Sequence, residues 1–239
     1  MSRITKRNLT MVHWLLTAAA FAIAIALLFT YTPVEKTMGP VQKIFYVHLP
    51  SAISTFLACL VTFIASIGYL SQRRTIWDDL AAAAASVAVL LCSVVLITGM
   101  IWGHAAWGHW WTWSPRLTFS LVLWLLYVVY LVVRASVESR QRRALISAVY
   151  GVMAFLDVPL VYLSVRMMPD IHPISVQLAW PMKVTLMVWF VPVLLLAGGL
   201  IYAGFLKNRA ASLKREIAAD QQRVSAAPRA MRWVAGAKP

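Results

Sequence analysis

The chain has 239 residues, 61% of them hydrophobic and only 13% charged, with a formal net charge of +14. A soluble domain of this size has no interior large enough to hide that much apolar surface, so the composition excludes an ordinary soluble globular protein and points to an all-α polytopic membrane protein. The positive charge alone would suit a nucleic-acid partner, but its placement along the chain removes that reading.

A short basic segment with Arg3, Lys6 and Arg7 precedes the first apolar run, about residues 11–31. That run is too long for a signal-peptide core and lacks a small-x-small cleavage site, so it reads as an uncleaved first span. Pro33 to Lys43 is a short loop, and a second span covers about 50–70. Gln72-Arg73-Arg74 closes it. Asp78 and Asp79 then open a third span, about 80–102, as acidic residues commonly do at a helix N-terminus. A Trp-rich loop, 102–118, leads into a fourth span at about 117–133. Four arginines lie between Arg134 and Arg143, followed by a fifth span at about 144–165. Arg166 to Ala179 forms a loop before the sixth span, about 182–206. Residues 1–206 thus form one six-span membrane domain, and 207–239 a basic polar tail. The tail is expected to form a short surface helix, with disorder beyond Pro228 and Trp233 near the membrane surface. Ala81 to Ala85 falls inside a span, where small side chains let helices approach closely.

Lys and Arg divide unequally between the two sides of such a topology. The side bearing the termini takes Arg3, Lys6, Arg7, Arg73, Arg74, Arg134, Arg140, Arg142, Arg143 and the eight in the tail, 17 in all. The other side takes 5: Lys36, Lys43, Arg116, Arg166 and Lys183. Both termini are therefore expected in the cytoplasm, and the Trp-rich loop on the outer face, periplasmic in a two-membrane bacterium. Topology accounts for the charge, and no nucleic-acid partner is expected.

Five of the chain's 11 tryptophans fall in the Trp-rich loop: Trp102, Trp107, Trp110, Trp111 and Trp113. Tryptophan anchors helices at both membrane interfaces, so an elaborate aromatic belt is one reading. Five in 12 residues is more than anchoring needs, and Gly103 and Gly108 would let the backbone turn and approach closely. The second reading is a platform of flat faces for a planar aromatic ligand.

Four of the five histidines lie on that same side: His48, His104, His109 and His172. His13 sits at the cytoplasmic start of span one and reads as an interfacial polar residue. Each of the others, taken alone, is a solvated loop histidine. Imidazole is also a common ligand of haem iron. His48, in Leu49-Pro50 context, and His172, in Asp170-Ile171-His172-Pro173, occupy different loops at the membrane boundary. Together they can offer one imidazole to each face of a flat metal-bearing ring. Arg116 suits a ligand carboxylate. Asp157, in span five beside Pro159, is costly at membrane depth unless paired or wetted.

Cys59 and Cys92 lie in apolar runs and read as small buried side chains. There is no Cys-x-x-Cys-His, so the chain is not itself a c-type cytochrome. No Gly-x-Ser-x-Gly, His-Glu-x-x-His or Walker-type loop occurs either.

The segment Trp107-Gly108-x-Trp110-Trp111-x-Trp113-x-x-Arg116-Leu117-Thr118 resembles the tryptophan-rich WWD signature of the haem-handling proteins of cytochrome c maturation. With six spans, a histidine ahead of span two and one between spans five and six, the chain resembles the CcmC family over about residues 10–206. Lys43 to Pro50 and Val158 to Val165 are also similar to that family. The resemblance implies non-covalent haem b on the outer face, held by Trp102, Trp107, Gly108, Trp110, Trp111, Trp113 and Arg116. It implies iron ligation by His48 and His172 and delivery of haem to the chaperone CcmE. It also implies partnership with the ATP-binding transporter CcmAB and with CcmD, in the bacterial inner membrane. The expected role is transfer rather than catalysis, with at most assistance to covalent haem attachment on CcmE.

The family motif has Asp where this chain has Ser114, and Asn is expected where it has Asp157. One expectation is that Asp157 supplies a compensating charge near Arg116. Two other functions fit the composition. A b-type electron-transfer cytochrome would place its ligand histidines inside helices, and no histidine falls in mid-span here. A small-molecule permease would want polar groups at mid-membrane, and only Asp157 approaches that.

Overall fold

The structure, a computed structural model, describes residues 3–167, 172 and 176–226. Asp170, Pro173, Pro228 and Trp233 lie outside the described residues. The all-α architecture holds: seven α-helices and one 3₁₀ helix, no strand among the described residues, and six helical segments long and apolar enough to cross a membrane.

Helix α1 (Arg3–Thr30) packs along the last helix. His13 lies at that contact rather than at a free interface. Its Nε2 donates to the Leu195 carbonyl at 3.2 Å. The ring fits only because position 199 is glycine, where a Cβ would come within 2.4 Å of the same nitrogen.

The connection after α1 is pinned by Glu35, whose carboxylate accepts the backbone N–H groups of Met38 and Thr37. Those bonds hold its carboxyl below the usual carboxylate range. A 3₁₀ helix, Pro40–Ile44, then runs straight into α2 (Phe45–Gln72). The second span therefore starts five residues earlier than its apolar run suggests. Pro50 does not begin the helix but sits inside it, giving up one bond to the preceding turn. His48 is consequently a helical residue in the first turn of α2, not a loop residue.

Arg73, in the left-handed region with φ 56, closes α2 and donates to the Tyr69 carbonyl at 2.8 Å. The chain re-enters a helix at once: α3 (Thr75–Trp107). The α2–α3 hairpin is the spine of the bundle. Ala58, Cys59, Ala85 and Ala88 are buried along it, and small side chains at such a seam let the backbones come close. At about 1.5 Å per residue α3 is roughly 50 Å long, well over the ~30 Å of hydrocarbon it must cross. The excess appears at its outer end, where Trp102 and Trp107 are helical. About a third of the expected Trp-rich loop, Trp102 to Trp107, is thus part of α3, because Gly103 is tolerated inside the helix and the turn comes only at Gly108.

Helix α4 (Pro115–Ser136) follows. The fifth span is broken into α5 (Arg140–Ala154) and α6 (Asp157–Met167). Pro159 is the cause: it has no N–H for the carbonyl of Phe155, and its ring excludes a continuous helix there. Tighter bonds take over, Leu156 N–H to Met153 O at 3.1 Å and Val158 N–H to Phe155 O at 3.0 Å. Asp157 lands in the first turn of α6, 6% exposed.

Helix α7 (Trp180–Ala226) has no break at 206, so the first part of the tail continues the sixth span. Polar bonds hold this extension against the start of α3. Ser212 donates to Asp79 at 2.6 Å, Asn208 to the Asp79 carbonyl at 3.1 Å, and Arg209 to Thr75 at 2.9 Å. Arg140 meets Glu216 at 3.0 Å, and Arg134 grips Asp78 with both guanidinium nitrogens. Asp78 and Asp79 therefore do more than favour a helix N-terminus: they tie α4 and α7 to α3. The opposite end of the bundle has an aromatic core of Phe45, Tyr46, Trp102 and Trp189 with Leu186 and Met182, and the site lies there.

Candidate functional site

A cavity of about 450 Å³ opens among the ends of α2, α3, α4, α6 and α7. His48 and Ile53 line it from α2, Gly99, Trp102 and Trp107 from α3, Arg116 and Leu123 from α4, and Val161 from α6. His172 reaches it from the connection between α6 and α7, and His109, Trp110 and Trp111 from the turn after α3. Its deep end reaches Cys92.

Gly108 (φ 77) shapes the rim. It ends α3 in the left-handed region and donates to the His104 carbonyl at 2.9 Å, a cap that glycine adopts without steric cost. Residues 108–114 then cross the mouth of the cavity. Ser114 is the N-cap of α4 and Pro115 its first residue, a pairing suited to a helix start. The Ser114 hydroxyl makes no capping bond and is buried without a hydrogen-bond partner among the described residues.

The five tryptophans divide into different tasks. Trp102 is 2% exposed and supports His48, with ring centroids 6.1 Å apart. Trp107 tilts against Trp102 at 6.1 Å. Trp110 is 58% exposed and stacks on His104 at 4.1 Å. Trp111 meets Trp113 edge-on at 5.8 Å. Trp113, 75% exposed, is not among the cavity-lining residues, nor is Gly108. His104 is held in its stack, also away from the lining. The structure therefore brings His48, His172, Arg116, Trp102, Trp107, Trp110 and Trp111 to one cavity and leaves Trp113 and Gly108 at its rim.

The two imidazoles are held differently. His48 Nδ1 lies 3.0 Å from Thr98 Oγ1, and that hydroxyl lies 2.6 Å from the Val94 carbonyl. Arg116 donates through Nη1 to His172 Nδ1 at 3.2 Å, and its Nη2 is 3.5 Å from the Tyr162 carbonyl. Sequence reasoning missed Thr98 and Gly99. Each sits inside an uninterrupted apolar run, and only the packing of α2 on α3 brings them to His48.

Arg116 meets His172 and the Tyr162 carbonyl, and it is not among the groups acting electrostatically on Asp157. It lies within electrostatic reach of Cys59, Cys92 and Tyr127, deeper in the bundle. One of its carboxylate oxygens is buried with no hydrogen-bond partner among the described residues. Asp157 is therefore not the compensating charge expected for Arg116.

Chemically, this is a mostly apolar cavity with flat indole walls, two imidazoles and a guanidinium. Among the described residues no three metal-ligating side chains cluster. A planar macrocycle that already fills four positions on its metal needs only two axial nitrogens. The donor set fits such a group.

Fold and cavity together define a polytopic helical membrane protein with an indole-walled cavity at one end of its bundle. The family model described as "CcmC: Heme exporter protein C" matches residues 1–227, and the chain belongs to that family. Among its relatives are the "Heme exporter protein C" of Rhodobacter capsulatus, 31% identical over 150 residues (59% of this chain, 62% of the relative). That of Paracoccus denitrificans is 35% identical over 127 residues (53% of each). A Marchantia polymorpha protein whose name carries the words "cytochrome c biosynthesis ccmC-like mitochondrial protein" is 26% identical over 159 residues (66% of this chain, 65% of the relative). In each case the match spans less than two thirds of the relative's length.

Proposed function

We propose that this protein binds haem in the cavity at the outer face of a bacterial inner membrane and passes it to the chaperone CcmE for c-type cytochrome biogenesis. The observation that carries the reading is the convergence of His48 and His172, 124 positions apart, on one indole-walled cavity. Haem is the substrate here. The indoles of Trp102, Trp107, Trp110 and Trp111 supply flat apolar faces. His48 and His172 supply axial nitrogens, and Arg116 a bidentate partner for a haem carboxylate. Because the cavity lies at the end of the bundle, its cargo stays within reach of a partner.

Orientation rests on the uneven Lys and Arg distribution, which puts both termini in the cytoplasm and the cavity in the periplasm. CcmAB and CcmD are the partners the family resemblance supplies, and no reaction is assigned to this chain beyond transfer. The test is an absorption spectrum of the purified protein, oxidised and reduced. The wild type is expected to show low-spin haem. Loss of that spectrum when His48 and His172 are both replaced by Ala supports the reading, and its persistence redirects ligation to His104 or His109.

A further inference from the structure

Which histidine lets go of iron when haem leaves? The hydrogen bonds around the two rings answer differently for each. The Thr98 hydroxyl has one proton, and its 2.6 Å approach to the Val94 carbonyl, with the Val95 carbonyl at 3.2 Å, commits that proton to the α3 backbone. The oxygen of Thr98 therefore accepts, and His48 Nδ1, 3.0 Å away, donates. A neutral imidazole with its proton on Nδ1 has a bare lone pair on Nε2. His48 is thus set in a ligating tautomer by a relay from Nδ1–H to hydroxyl to backbone carbonyl. Such outer partners fix ring orientation and raise ligand basicity. The ring is also bounded on two sides. It lies against Gly99, where a Cβ would stand 3.2 Å from its Cε1, and against Trp102.

His172 is in the opposite state. A guanidinium has only donors, so the contact from Arg116 Nη1 occupies the Nδ1 lone pair and places the ring proton on Nε2. For His172 to bind iron, that bond must break. Either iron takes the Nδ1 lone pair, or the proton moves from Nε2 to Nδ1, a change of tautomer with no net proton gained or lost. Arg116 and iron therefore compete for the same ring.

We propose that His48 is the anchoring iron ligand and His172 the exchangeable one, with Arg116 as the group that recaptures His172 when haem is handed on. This rests on the haem reading above. A haem carboxylate draws Arg116 off and frees His172. When that carboxylate leaves for a partner, Arg116 returns to Nδ1 and takes the ring from iron. Thr98 is the positioning residue of the anchor.

The experiment uses haem-loaded, purified, reduced protein exposed to carbon monoxide, which displaces the weaker axial ligand. The iron–histidine stretch of the photolysed complex, read by resonance Raman, then reports the ligand that stayed. In the wild type that band is expected to shift in Thr98→Val, which removes the acceptor while keeping the shape, and to return in Thr98→Ser. Arg116→Met, which keeps the stem but has no donor, is expected to leave the band in place and to slow carbon monoxide binding about tenfold, since nothing then takes His172 when the carboxylate contact breaks. A band unmoved by Thr98→Val but moved by Arg116→Met reverses the two histidines and overturns the proposal. Failure of carbon monoxide to bind the wild type overturns it as well, since neither ligand would then exchange. A wild type that carries no haem overturns the haem reading itself, and that is seen in the first absorption spectrum.

Discussion

His104 and Trp110 lie face to face, ring centroids 4.1 Å apart and 20° from parallel, and this stack ties the turn after α3 to the helix end it leaves. The imidazole is therefore employed as an aromatic face, and it lies off the cavity lining. His104→Ala is expected to keep the low-spin haem spectrum while lowering haem affinity by less than about tenfold, the scale of one aromatic pair. Haem titration by absorbance checks both. Loss of the low-spin form would make His104 a ligand and unseat His172 or His48.

Gly99 separates stability from binding. A Cβ there would stand 3.2 Å from His48 Cε1 and 3.8 Å from Nδ1, so the ring must shift by a few tenths of an ångström. Alanine is also the better helix former, by about 1 kcal/mol. Gly99→Ala is thus expected to melt no lower than the wild type in detergent while binding haem more weakly. A variant that loses stability and haem together would show that the glycine serves packing alone.

How much of this was readable beforehand differs element by element. The six spans were legible because apolar runs of that length have few other uses, and the Lys and Arg asymmetry followed them. The site residues were legible as types, since Trp, His and Arg stand out in an apolar chain. Their settings were not. Pro50 looks like the start of a helix, which hid the fact that α2 begins at Phe45 and carries His48 in its first turn. Gly103 among aromatics looks like a loop, which hid the extra turns of α3. Thr98 looks like one more residue of a span, and its role depends on a contact 50 positions away. The Asp78–Arg134 pair spans 56 positions, and neither residue announces the other.

That pair is the next test. Both side chains are largely buried, and Arg134 meets both carboxylate oxygens of Asp78. Removing one partner leaves the other charge buried, an effect of about 3–5 kcal/mol. Asp78→Asn and Arg134→Met are each expected to lower thermal stability markedly, and the double variant to recover much of the loss. A double-mutant cycle on thermal unfolding measures the coupling. Simple additivity would mean that the fork contributes nothing beyond its two ends. The haem spectrum is expected to survive in all three variants that fold, since the pair lies at the end of the bundle away from the cavity.

For Asp157 the structure runs against the expectation drawn from the chain's departures from the family motif. A carboxylate paired with Arg116 would make Asp157→Asn weaken haem retention. Instead Asp157 is 6% exposed in the first turn of α6, with Cys59, Cys92 and Tyr127 as its electrostatic neighbours. Two opposed effects act on it. The helix N-terminus favours its negative charge by roughly 0.3–1 kcal/mol, and more in buried geometry. Its depth in the bundle disfavours that charge by about 2.5–3.5 kcal/mol. The second is larger, and asparagine keeps the capacity to accept a backbone N–H at a helix start. Asp157→Asn is therefore expected to retain haem within twofold of the wild type and to gain about 1 kcal/mol of stability. Parallel haem titration and thermal unfolding decide it. A drop in haem content at unchanged stability would restore a role for this carboxylate in the site.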